Sequence, residues 1–299
     1  MSTPSDRQDL QSVVDSTRQL FAEKRQRATV QLPYAAPDHR PNPARENLDW
    51  IRAGTFVLAA ILLLVTVLVF ASSAMERASS ELLNVRPVQN LMWPAVALIV
   101  LFSSLYALLP SQLSSRRQRA VSIYSSVMAA TMGCALTLAA SFMFWAAVVL
   151  AVLSCAAGLL GIRMLNRNTA RTTVERLLTD APLSFSTGFS LVVTGQLYFA
   201  AAGWDDQTHV LKALVALLGI SVIASVAAHS ERGRHALALG FAIGTSAIAL
   251  ALWLNAAGPW WLSIVSALCG LSVVLAAENR RHQITHAEHR AARGLPVED

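Results

Sequence analysis

Charge is scarce in this chain: 14% of its 299 residues are Asp, Glu, Lys or Arg, against about a quarter in soluble domains. With 54% hydrophobic residues beside it, that scarcity excludes an ordinary water-soluble globule and predicts a polytopic membrane protein. Cysteine is scarcer still. Cys134, Cys155 and Cys269 lie in three different apolar runs, and no CxxC or Cys-His spacing suggests a metal site or a disulfide framework, so they read as small packing residues. Also missing are a Walker loop, an HExxH helix and paired carboxylates or histidines inside the apolar runs. Ionisable groups in span cores mark ion pathways and proton relays, and here there are none. The absences argue against an enzyme, an ATP-driven pump and a proton-coupled carrier, and leave an uncharged cavity open. No catalytic residue, metal or cofactor is expected.

What is present is a series of eight uncharged stretches close to the length that crosses a bilayer. They run from about Ala53 to Ala74, Leu91 to Leu109, Val121 to Ala139, Phe144 to Ile162, Leu183 to Trp204, Val210 to Ala228, Ala236 to Leu254 and Trp261 to Ala276. About fifty polar residues precede the first, which argues against a cleaved signal peptide. The expected fold is an all-α bundle of about eight transmembrane helices spanning 51–278. A tail, 1–50, precedes it and a second tail, 279–299, follows.

Orientation follows from the basic residues. Alternating the segments between two sides puts 21 of the 24 Lys and Arg on one side and leaves Arg77, Arg86 and Lys212 on the other. Because basic residues near span ends stay cytoplasmic, both termini are expected inside a bacterial plasma membrane. The net charge of +6 therefore reports topology and a pull toward anionic lipid, not nucleic-acid binding.

Residues 6–28 place Leu10, Val13, Val14 and Phe21 on a helical stripe, with acids early and bases late. Such a helix fits the inner leaflet or a cytoplasmic partner protein, and a marginal helix in a disordered tail fits equally well. The next segment, with four prolines, reads as an extended linker to Trp50. Near the end, His282, His286 and His289 share one helix face, a spacing that suits a transition metal but more often belongs to a solvated basic helix.

Within the runs, small residues punctuate the helices: Gly240 and Gly244, Ser154 and Gly158, Ala157 and Gly161. Such rows let backbones approach where lipid gives no hydrophobic drive between helices, either inside the bundle or in a homodimer, and the internal use is the expected one. In the fifth run Thr187, Ser190 and Thr194 form a polar row, and Gln196 is an amide at a depth where it needs a partner. The second run turns 100° per residue, which sets Trp93 with Ala97, Val100, Ser104 and Ala107 on a small face. Small faces turn toward neighbours, so Trp93 is expected to point inward, while five other tryptophans at the same ends form an interfacial belt. Pro94 is expected in the first turn, where its missing N–H costs nothing.

Pro87 in VRPVQN, Trp93, Tyr106 four residues before Pro110, and the stretch from Glu175 to Trp204 with its closing Gly-Trp resemble the longer bacterial tryptophan-rich sensory proteins, the TspO/MBR or translocator protein family. The likeness covers helices one to five, about 51–204, with three helices added. Phe189 stands where those proteins carry a Trp after Gly, and the third run lacks their Asn and Trp. The resemblance implies a non-enzymatic binder or sensor of a porphyrin-like or other apolar small molecule, in a pocket lined by Trp93, Phe189, Thr194 and Gln196. Two other functions fit the same sequence: a structural or regulatory membrane subunit docking a partner through its tail, and a facilitative carrier of an uncharged solute.

Overall fold

A computed structural model describes residues 41–78, 82–168, 170–204, 207–231, 234–255 and 258–292, and the expected tail helix at 6–28 lies outside them. Eight long helices and no strand occur among the described residues. They are α1 (Asn47–Thr66, carried on through a π turn, Val67–Ala71, to Ser72–Arg77), α2 (Arg86–Ala107), α3 (Arg116–Ala140) and α4 (Phe144–Arg167). Then come α5 (Ala181–Ala202), α6 (Val210–Ser230), α7 (Ala236–Asn255) and α8 (Trp260–Ala292). Seven are long and apolar enough to cross a membrane, so the chain is a multi-pass helical membrane protein.

The eighth long helix, α5, is not one of the seven. Ser184, Ser186, Thr187, Ser190, Thr194 and Gln196 lower its hydropathy, and the fold explains how it carries them. Packed against α4, α7, α2 and α6, it presents almost all of its length to protein instead of lipid. Two of its hydroxyls turn back onto their own helix, Thr187 donating to the Leu183 carbonyl at 2.7 Å and Thr194 to that of Ser190 at 2.8 Å.

The helices alternate in direction, as two sets of contacts show. At one end Arg119 reaches Glu46 and Asp49 of the first helix, Arg45 donates to the Pro110 carbonyl, and His235 meets Glu278. At the other, Arg77 lies over the Phe142 ring, Trp145 meets Tyr198, and Trp204 meets Tyr198, Phe199 and His209. Lys212 sits over the Trp204 ring at 4.1 Å. We call these the basic end and the aromatic end. Trp145, Trp253, Trp260 and Trp261 face outward at the latter, in keeping with a belt.

The glycine rows serve the interior. A Cβ added at Gly188 would collide with the backbone carbonyl of Leu237, and one at Gly240 with that of Phe185, so α5 and α7 cross backbone to backbone. Gly244 accepts Val192, Gly158 accepts Thr187 and Gly161 accepts Leu183 in the same way.

One sequence expectation is corrected. Helix α2 begins at Arg86, so Pro87 opens it and Pro94 lies in its interior, where it has no N–H to give the Asn90 carbonyl. Helix α8 continues past its apolar run to Ala292, because that run ends in Ala, Glu, Arg and Gln, which are good helix formers. His282, His286 and His289 lie exposed on that extension, and no three-residue metal-ligand group forms among the described residues.

Gly240→Ala should destabilise the protein by about 1–3 kcal/mol, because the rigid carbonyl of Phe185 cannot give way. Gly219→Ala, at an exposed position on α6 with open space around it, should be neutral or stabilising. Thermal unfolding in detergent micelles, comparing the two variants, measures the difference.

Candidate functional site

The expected face of α2 is found intact: Trp93, Ala97, Val100, Ser104 and Ala107 are all buried, whereas Phe102 and Leu109 are exposed. Trp93 itself is 1% exposed, the exception among the tryptophans of the aromatic end. Its ring meets Phe189 of α5 edge to face at a centroid distance of 5.3 Å, a favoured aromatic geometry. Phe189 follows Gly188, so the backbone crossing of α5 and α7 is also what delivers this ring to α2.

About two turns further along α5, Gln196 points the same way, since seven residues return to nearly the same face. It is buried and doubly used. Its carbonyl oxygen accepts from the Val85 N–H at 3.3 Å, and its amide donates to the Ala78 carbonyl at 3.2 Å. One side chain thus clamps both ends of the connection between α1 and α2, with Leu82 and Leu83 buried beneath it. Gln196 is structural glue for that connection.

Thr194 is not part of this group. Five residues from Phe189, it is rotated roughly 140° around α5. It faces α4, with its hydroxyl 3.3 Å from the Cys155 sulfur. Of the four residues expected to line a pocket, the structure brings Trp93, Phe189 and Gln196 to one interface and sends Thr194 to another.

A fourth residue belongs there instead. Gln89 lies one turn before Trp93 on α2 and is buried. The carbonyl oxygen of Gln89 and the indole N–H of Trp93 have no hydrogen-bond partner among the described residues. A buried polar atom left unpaired costs about 1–3 kcal/mol, and here an acceptor and a donor are both left so, one turn apart. The spacing of Gln89 and Trp93 was the available signal in the sequence.

The basic end holds a second polar assembly, which the basic residues had suggested only as a topology signal. Asp180, 2% exposed, is held by Arg117 from α3 and by Arg234 from the segment before α7. Arg117 also donates to the Leu165 and Asn168 carbonyls of α4, and Gln118 donates to Thr179 at 3.0 Å. Arg234 reaches Asn166 at 2.9 Å, and Ser184 donates to the fully buried Glu231. Nearby, a hollow of about 10 Å³, room for one water, is lined by Asp49, Arg52, Arg119, Gln118 and Ser122. It lies at the opposite end from Trp93.

Gln196→Leu should strip the partners from Val85 N–H and the Ala78 carbonyl and cost about 1–3 kcal/mol. Thermal unfolding in micelles measures it, and an unchanged midpoint would remove Gln196 from the clamp. Compared with known proteins, the chain matches no family model, no curated protein and no solved structure.

Proposed function

We propose that this multi-pass membrane protein is a non-enzymatic binder or sensor of an apolar small molecule, held near the aromatic end between α2 and α5. The reading rests on one observation: the unpaired indole N–H of Trp93 and the unpaired carbonyl of Gln89, both buried and one turn apart. A ligand that suits them is largely apolar and carries a hydrogen-bond acceptor for Trp93 beside a donor for Gln89. Trp93 and Phe189 supply the aromatic contact, and Gln196 holds the overlying α1–α2 connection as a cover. The resemblance to the tryptophan-rich sensory proteins points to the same class, porphyrin-like molecules included. The bias of basic residues supports a plasma-membrane orientation with the basic end, and so both termini, in the cytoplasm.

Titration of the purified protein with a porphyrin, followed by tryptophan fluorescence, tests this. Saturable quenching is expected, with most of it lost in Trp93→Phe and affinity about tenfold weaker in Gln89→Leu, the cost of one hydrogen bond. No saturable quenching, or equal quenching in Trp93→Phe, would overturn the site.

A further inference from the structure

The assembly at the basic end contains a carboxyl group that the binding site does not use. Glu231 caps α6, is 0% exposed, and has one oxygen bonded by the Ser184 hydroxyl while the other oxygen has no partner among the described residues. Among the described residues the guanidinium paired with it is that of Arg234, whose Nε lies 3.9 Å away, too far for a hydrogen bond and itself without a partner there. The rest of that guanidinium is committed to Asp180 and Asn166. A fully buried carboxylate with no direct cationic hydrogen bond and an unpaired oxygen is costly, and a neutral carboxylic acid in the same place costs far less.

We propose that Glu231 is a proton-binding site, and that its proton decides whether Arg234 stays on Asp180 or is drawn to Glu231. With the proton on, Arg234 holds the segment before α7 against Asp180 at the start of α5 and Asn166 of α4, and the basic end is latched. When the proton leaves for water, the new carboxylate competes for Arg234 through its unpaired Nε, and the tie to Asp180 weakens. No other group changes oxidation or protonation state in the exchange.

The groups facing Glu231 come from every element around it. Burial pushes its carboxyl above the ordinary glutamate range. The Arg234 charge and the Ser184 hydrogen bond pull it down, Asp180 pushes it up and His235, at the start of α7, pulls it down. Arg117 acts at one remove, through Asp180, and His235 is paired with Glu278 of α8. Because the folded state then holds its proton more tightly than the unfolded chain, the stabilisation is complete below the ordinary glutamate range. It is lost as pH rises through Glu231's own raised value.

Infrared spectroscopy of the full-length protein in lipid nanodiscs, titrated with pH, tests the proposal. Wild type should show a carboxylic-acid C=O band that persists above the ordinary glutamate range. The band should be missing in Glu231→Gln and shifted in frequency in Ser184→Ala, which removes the hydrogen bond to it. In the same pH window the unfolding equilibrium of wild type should change by up to about tenfold per pH unit, and that of Glu231→Gln should stay flat. A band that survives in Glu231→Gln, is unmoved in Ser184→Ala, or is missing from wild type would overturn it. If Glu231→Gln does not fold, the Ser184→Ala shift decides alone. Porphyrin quenching at Trp93 is read separately, so failure there leaves this result standing.

Discussion

The backbone contact between Gly188 and Gly240 is the constraint on which the rest of the structure depends. Helices in lipid have no hydrophobic reason to associate, so they need close packing and hydrogen bonds to hold together. Here two glycines let α5 and α7 meet without side chains between them. Everything polar on α5 is positioned by that meeting. Asp180 and Ser184 precede the crossing at the basic end, Phe189 emerges from it toward Trp93, and Gln196 follows it toward the aromatic end. A helix too polar to face lipid becomes the one on which both candidate sites are built.

The two ends of the bundle solve the same problem with different chemistry. At the aromatic end, indole and phenol rings are amphipathic enough to sit at an interface, and the buried polar need is met mostly by a single amide. At the basic end, charges replace rings. Asp180 is shared by Arg117 and Arg234, and the Leu165 and Asn168 carbonyls take up a further Arg117 donor. Among the described residues the buried polar atoms left without a partner include the Gln89 carbonyl and Trp93 N–H at one end, and at the other the second Glu231 oxygen with the Nε groups of Arg117, Arg119 and Arg234 and the Ser122 hydroxyl. Unpaired atoms in otherwise well-paired surroundings are the best pointers to chemistry that the chain alone does not supply.

How much of this was legible in sequence depended on distance along the chain. The apolar runs announced the helices, since length and hydropathy are local properties. The small face of α2 was legible because it repeats with the period of one helix, and so was the need of Gln196 for a partner, though not that the partners were Ala78 and Val85. Helix boundaries were less so: uncharged length put the start of the second span at Leu91, while Pro87 starts it one turn earlier. Thr194 was grouped with Gln196 because both are polar and near in sequence, but 100° per residue sends them to different neighbours. The basic-end network was invisible, since Arg117, Asp180 and Arg234 are far apart in sequence and each looks like an ordinary flanking charge until the helices are assembled.

The same geometry says how the two sites relate. A rigid helix would pass any movement of Asp180 straight to Phe189, but the segment before α5 is not regular helix. Arg176–Asp180 is a π turn, and Pro182, which has no N–H to give, follows directly. Wider turns of this kind lack the regular ladder and are where helices bend. Beyond them, Gly188 pins α5 to α7 before Phe189 is reached. A change of Arg234 between Asp180 and Glu231 would fall on the near side of the crossing, where the π turn interrupts the regular helix. The crossing that builds both sites also keeps them mechanically apart.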